Sequence, residues 1–273
     1  METIEHIISP EWLNDHLLDD DLVILEVGQK KDKVGLDIDM RCSISGSIKI
    51  NLTSDFGDPN GRFPNTFPTE NQFESTCNRL GISNESKVVI IDRLGIYTSP
   101  RIWFLFKAMG HENVAVLDGG LPAWINEGFE VVDLPNVLIE KVKYSARLDT
   151  QLVKGIEEIT ENIKSGNSVL IDARSSDRYF SLVPEPRPEI RSGNIPNSIN
   201  IPFKSLLNDY KYKSVQELCL IFDEHSLGDK PLIFTCGSGV TACIIMLATE
   251  LVNSNDKSIY DGSWTEWASI MKK

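Results

Sequence analysis

The chain lacks the features that would assign it to several large functional classes. It has no CxxC pair, and its five cysteines (Cys42, Cys77, Cys219, Cys236 and Cys243) are odd in number and irregularly spaced. A structural zinc site is therefore not expected, nor is any other metal. No uninterrupted apolar run approaches the roughly 18 residues a membrane-spanning helix requires. Basic residues are scarce: 27 Lys and Arg stand against 40 Asp and Glu, for a net charge of −13. An acidic surface of this kind repels polyphosphates, so neither nucleic acid nor an anionic membrane is expected as a main partner. A small anionic substrate is compatible with it, because a local cluster of arginines overrides the global field. There is no low-complexity tract. The start, Met1 to Pro10, is acidic and has no long apolar core, unlike a secretory signal or a transit peptide. The expected location is the cytoplasm, where cysteines remain thiols. What remains is 273 residues with 41% hydrophobic and 25% charged content, the profile of a soluble globular protein of two ordinary domains.

The sequence repeats itself. The first half carries Leu22-Val-Ile-Leu-Glu-Val27, Ser45-Gly-Ser-Ile48, Val88-Val-Ile-Ile-Asp92, a helical stretch from Pro100 to Met109, and Val114-Ala-Val-Leu-Asp-Gly-Gly120. The second half carries Val169-Leu-Ile-Asp-Ala173, Ser192-Gly-Asn-Ile195, Leu232-Ile-Phe-Thr235, a helical stretch from Ala242 to Leu251, and Ser258-Ile-Tyr-Asp-Gly-Ser263. The spacing from Asp118 to Trp124 equals that from Asp261 to Trp267. Repetition of several elements in one order is the mark of a duplicated unit. Short continuous apolar runs suit strands buried on both faces, and their alternation with helices predicts α/β domains built on mainly parallel sheets flanked by helices. The expected domains are 1–134 and 151–273, joined by a weakly patterned linker over 135–150.

The second half holds the reactive candidate, Phe234-Thr-Cys-Gly-Ser-Gly-Val-Thr-Ala242. A strand ends at Thr235, a helix begins near Thr241, and a loop with Gly237 and Gly239 lies between them. Open α/β sheets bind ligands at this carboxyl end of a strand, facing a helix amino terminus. The glycines let successive N–H groups turn toward one point, where the helix N–H groups and dipole also favour an anion. Cys236 is placed to occupy that cradle as a thiolate, the nucleophilic form. A cysteine that merely packs needs no Gly-x-Gly turn and no polar Ser238 and Thr241 beside it. Cys243, inside the apolar helix, reads as a core residue. The matching stretch of the first half, Asp92-Arg-Leu-Gly-Ile-Tyr-Thr98, has no cysteine, so that domain is expected to be non-catalytic.

With Cys236-Gly-Ser-Gly-Val-Thr241, Ser192-Gly-Asn-Ile-Pro-Asn-Ser-Ile-Asn-Ile-Pro202 and Asp261-Gly-Ser-Trp264, the chain resembles the tandem rhodanese family of sulfurtransferases. Gly237-Ser238 is similar to the 3-mercaptopyruvate branch rather than the thiosulfate branch, which typically has Arg-Lys there. The resemblance implies two rhodanese-like domains and a Cys236 persulfide held by the loop residues Gly237, Gly239, Val240 and Thr241, with no cofactor. It further implies that Arg178 and Arg187, in Asp177-Arg-Tyr-Phe-Ser-Leu-Val-Pro-Glu-Pro-Arg187, bind the carboxylate and ketone oxygen of a small anionic sulfur donor. Guanidinium chemistry independently suits a carboxylate. The acceptor would be a thiol, a dithiol such as reduced thioredoxin, or cyanide. Family members often join the loop serine, here Ser238, to an Asp and a His of the first domain in a proton relay. Thr53 and Asn65 stand at those positions, Asp55 lies close enough in sequence to replace the acid, and no His occurs between 51 and 68. Proton transfer through water or the substrate thiol is expected instead. Arg101 and Arg174 are expected to form structural ion pairs.

Three other readings compete. A cysteine phosphatase or arsenate reductase would carry an arginine six residues after the cysteine, where this chain has Ala242. A thiosulfate sulfurtransferase would favour a cationic loop. A non-catalytic sulfur-carrier or regulatory module would not need the thiol.

Overall fold

The Val- and Ile-rich runs form the centres of two sheets, each with every strand pairing parallel. The computed structural model describes residues 4–28, 41–133 and 139–271. In the first sheet Lys87–Asp92 lies between Val114–Leu117 and Leu22–Val27, with Ile7–Ile8 and Ser47–Ile50 at the edges. Val88, Val89, Ile90 and Ile91 are all fully buried, so consecutive side chains on both faces are covered. One face packs Ile24, Val89, Ile91 and Leu117 against Leu13 and Trp124. Those two come from the helices Pro10–His16 and Gly120–Asn126.

The second sheet repeats this order. Leu232–Thr235 lies between Lys257–Tyr260 and Val169–Asp172, with Val153–Lys154 and Ile199–Asn200 at the edges. Leu170, Ile233 and Tyr260 pack with Ile159, Trp264 and Trp267. The equal Asp-to-Trp spacing thus has a structural cause: Trp124 and Trp267 are core residues of helices that follow equivalent strands. The helix Ala242–Glu250 is buried from Ala242 through Thr249, which explains why its sequence is apolar all round. Cys243 is fully buried within it, as a core residue should be.

The chain divides into two units whose membership does not follow a single cut. One comprises Met1–Pro59, Phe67–Leu148 and Asp209–Tyr212; the other comprises Asn60–Thr66, Asp149–Asn208 and Lys213–Lys273. Within the first unit, Tyr212 N–H donates to Asp118 at 3.1 Å. Of the expected linker 135–150, residues 135–138 lie outside the described residues. Residues 139–148 group with the first unit, where Tyr144 is 2% exposed and packs on Phe73 and His111. Among the described residues no helix is long and apolar enough to cross a membrane.

Candidate active site

Cys236 stands at the end of the central strand of the second sheet and is 2% exposed. The loop that follows reverses through Gly239 at φ +75° and enters the helix at Ala242. Three consecutive residues at the start of the helix Ser263–Ile270 grip the loop. Ser263 Oγ accepts N–H bonds from Cys236 at 3.3 Å and Gly239 at 3.1 Å. Trp264 N–H donates to the Cys236 carbonyl at 3.0 Å, and Thr265 N–H to the Gly237 carbonyl at 3.1 Å. Thr265 Oγ1 donates to that same carbonyl at 2.5 Å. With its carbonyls drawn toward this helix, the loop leaves the N–H groups of Gly237, Ser238, Val240 and Thr241 without an acceptor among the described residues. An anion at Cys236 would meet unspent donors of the kind that stabilise a thiolate.

Arg178 reaches this loop, and Arg187 reaches Thr265, which holds it. A Cβ added at Gly237 would lie 3.1 Å from Arg178 Nη2, so glycine here makes room for the guanidinium. Arg187 Nη1 donates to Thr265 Oγ1 at 2.9 Å and is thereby one residue removed from Gly237. Arg178 is also ion-paired, with Nη2 2.5 Å from Glu185 Oε2. The other Glu185 oxygen accepts from Arg174 Nη1 at 2.8 Å. Arg174 is fully buried, pairs with Asp172 at 2.6 Å, and lies over the Trp264 ring, 4.8 Å from its centroid. Burial pushes the Asp172 carboxyl upward, against the pull of the Arg174 hydrogen bonds and charge. The expected ion-pair role of Arg174 is therefore met by two carboxylates. Arg101 is 1% exposed and packs over Phe67 and Phe104.

The segment Asn60–Thr66 belongs to this same unit. Asn65, at φ +59°, directs Nδ2 to Ser238 Oγ at 3.3 Å and to the Ser238 carbonyl at 3.4 Å. Thr53 and Asp55 belong to the other unit, in the helix Leu52–Phe56. The Asp55 carboxylate is engaged there by Arg79 at 2.7 Å and by the Asn51 N–H at 2.7 Å.

The first unit builds the equivalent loop differently. Opposite the strand acids Glu26 and Asp172 stand Ile91 and Thr235, so Asp92 occupies the place of Cys236. Its carboxylate ties its own loop, accepting N–H bonds from Leu94 at 2.9 Å, Ser99 at 3.0 Å and Thr98. Burial raises this carboxyl to about 6 despite the backbone N–H bonds that oppose the rise.

The family of the Rhodanese-like domain matches residues 9–127 and again 156–270. The chain belongs to the rhodanese family. A "Thiosulfate/3-mercaptopyruvate sulfurtransferase 1, mitochondrial" of Arabidopsis thaliana is 33% identical over 294 residues, covering 98% of this chain and 77% of its own. A 3-mercaptopyruvate sulfurtransferase of Mus musculus is 38% identical over 222 residues, covering 80% of this chain and 73% of its own. The crystal structure of SseA from Escherichia coli, presented with the rhodanese fold of 3-mercaptopyruvate sulfotransferases, superposes with a TM-score of 0.83 at 25% identity over 96% of this chain and 99% of that one. The protein is accordingly a two-domain rhodanese sulfurtransferase, as its sequence resemblance implied.

In this rhodanese the structure gathers Cys236, Ser238, Arg178 and Arg187 around one loop. Three further residues of that assembly escaped the sequence reading. Ser263 and Thr265 lie within or beside the motif Asp261-Gly-Ser-Trp264, and Glu185 lies between the two arginines. Their proximity to known markers was the available signal, but their bonds to backbone atoms and to Arg178 leave no trace in residue type.

Proposed function

We propose that this rhodanese takes sulfur from 3-mercaptopyruvate onto Cys236 and passes it to a thiol. The observation that carries the reading is the Arg178 guanidinium held against Gly237, one residue from the sulfur, in a loop without charge of its own. A monoanionic donor would place its carboxylate and ketone oxygen on Arg178 and Arg187. The Cys236 thiolate attacks the donor sulfur, the carbon–sulfur bond breaks, and its electron pair leaves on carbon as the pyruvate enolate, which a proton converts to pyruvate. The persulfide anion rests on the loop N–H groups of Gly237, Ser238, Val240 and Thr241. An acceptor thiolate then attacks the outer sulfur and returns Cys236 as thiolate. A dithiol such as reduced thioredoxin completes the cycle by forming its disulfide and releasing sulfide, and cyanide completes it as thiocyanate. Asn65 carries no titratable proton, so the proton for the enolate comes from water or from the donor thiol.

A 40%-identical rat thiosulfate sulfurtransferase, which covers 73% of this chain and 69% of its own, keeps thiosulfate as the second donor to measure. The test is pyruvate and sulfide release from 3-mercaptopyruvate beside a thiosulfate-plus-cyanide assay on one preparation. The expected result is preference for 3-mercaptopyruvate, with one sulfur added to Cys236 by mass spectrometry and none in Cys236→Ser. Label on another cysteine, or full activity of that variant, overturns the assignment. We propose the cytoplasm as its location, although the Arabidopsis thaliana relative is named mitochondrial, and cell fractionation checks this.

A further inference from the structure

The two units solve one problem of loop geometry in two ways, and the comparison isolates a residue. At the first turn of the helix after the fifth strand of each sheet in chain order, the chain passes through the left-handed region. In the first unit this residue is Gly120, at φ +55°; in the second it is Ser263, at φ +51°. Glycine adopts that conformation freely, whereas a residue with a Cβ does so at a cost. Gly120 also has no room for a side chain, because a Cβ there would lie 2.0 Å from the Asp92 carbonyl. The second unit thus carries a side chain in an unfavourable conformation where its own repeat shows that glycine completes the same turn.

The side chain that is retained has all its hydrogen-bonding capacity committed. Ser263 is fully buried, donates its hydroxyl to the Tyr260 carbonyl at 2.9 Å, and receives the N–H groups of Cys236 and Gly239 on its two lone pairs. In the first unit the work of holding the loop falls to the Asp92 carboxylate, which fills the place taken in the second by the Cys236 side chain. An internal carboxylate there would leave no room for a sulfur anion. Ser263 pins the loop from outside and from behind, so that the remaining N–H groups of the loop are left for the sulfur.

We infer that Ser263 is a positioning residue for sulfur transfer: its hydroxyl fixes the curvature of the Cys236–Thr241 loop in place of the carboxylate that fixes it in the non-catalytic unit. The inference rests on Cys236 as the sulfur carrier. It follows that removing the hydroxyl slows formation of the persulfide without weakening capture of the donor, whose arginines are held by Glu185 and Thr265 and not by Ser263.

The experiment compares wild type, Ser263→Gly and Ser263→Ala in single-turnover loading with 3-mercaptopyruvate. Intact-mass and peptide-mass detection follow the added sulfur, beside thermal denaturation. Gly120 shows that glycine is compatible with this turn, so Ser263→Gly is expected to melt within a few degrees of wild type. Its limiting loading rate is expected to fall about tenfold or more, while the donor concentration for half-maximal loading changes less than about twofold. Ser263→Ala, which keeps the Cβ and lacks the hydroxyl, should load as slowly and melt lower. Loading of Ser263→Gly at the wild-type rate overturns the inference, as does an equal loss in rate and in half-saturation accompanied by a lower melting temperature. If wild type itself takes no sulfur on Cys236, the carrier assignment fails instead, and the two failures are distinguished by that control.

Discussion

Asn65 donates its side-chain N–H to both the hydroxyl and the carbonyl oxygen of Ser238, at 3.3 and 3.4 Å. The second contact fixes the orientation of the amide, because a carbonyl oxygen can only accept. The Ser238 hydroxyl therefore receives a hydrogen bond from Asn65 and keeps its own proton for a group above the loop. Asn65→Ala should lower kcat/KM for 3-mercaptopyruvate by about three- to tenfold, the effect of one neutral hydrogen bond. Asn65→His should introduce an ionisation near pH 6.5 into the kcat profile that wild type lacks. Steady-state pyruvate release between pH 5 and 9 reads both effects, and superimposable wild-type and Asn65→His profiles would show that a titrating group at position 65 does not couple to the reaction through Ser238.

Loop charge should select the donor. Replacing Gly237-Ser238 by Arg-Lys brings two positive charges to the sulfur, which favours the thiosulfate dianion over a monoanionic ketoacid. The structure adds a steric component, since a Cβ at position 237 meets Arg178 Nη2 at 3.1 Å and displaces the guanidinium. The ratio of kcat/KM for thiosulfate to that for 3-mercaptopyruvate should rise about tenfold or more. An unchanged ratio would mean that loop charge does not set the preference.

The arginines should matter to one half-reaction only. Arg178→Ala and Arg187→Ala are each expected to reduce kcat/KM for 3-mercaptopyruvate on the order of ten- to a hundredfold, the loss of a charge-assisted hydrogen bond. Transfer from the preloaded persulfide should change less than about threefold, because that step has no ketoacid to hold. In Arg178→Ala, Glu185 keeps Arg174 as its partner at 2.8 Å, so the buried carboxylate is not stranded and the fold survives. Arg→Lys should recover only part of the loss. Equal slowing of both half-reactions would show the arginines to be structural.

Asp92 should make the stability of the first unit pH-dependent. Its folded carboxyl lies near 6, above the ordinary unfolded value of 3.8. Between these two values the native state holds a proton that the unfolded chain has released. The contribution of Asp92 is thus fully present below about pH 4 and is lost as pH rises to about 6, a change on the order of 3 kcal/mol. Relative to Asp92→Asn, wild type should lose stability over that window and change little above it, as urea denaturation at a series of pH values would show. A constant difference from pH 4 to 7 would contradict the assignment.

The fold was legible because its signals are periodic and repeated. Val88-Val-Ile-Ile-Asp92 and Leu232-Ile-Phe-Thr235 are short apolar runs, recurring at matching places in both halves, that suit central strands, and glycine with a cysteine between strand and helix marks a ligand-binding turn. What was not legible involves backbone atoms and distant pairings. The family resemblance set Asn65 at a position that joins Ser238, but nothing in the local pattern of Asn60–Thr66 announces that the segment groups with the second unit. Arg178 reads from sequence as a cation for the donor, whereas Glu185 also engages it, because a carboxylate seven residues away is not recognisable as the specific partner until the turn between them is built. Ser263 sat inside a quoted motif, yet its role depends on a positive φ and on two N–H donors that sequence does not display.

The traded segments carry a consequence for modularity. Each unit contains a short stretch encoded within the other's half of the gene, Asn60–Thr66 in one direction and Asp209–Tyr212 in the other. A polypeptide severed near residue 150 would leave the first fragment without the strip whose Tyr212 N–H binds Asp118, and the second without the asparagine that faces Ser238. The two repeats therefore share an ancestry of pattern without being separable cassettes. Neither half can be transplanted, deleted or expressed alone as a complete copy of its own unit, and the two repeats are retained as a single inheritable piece.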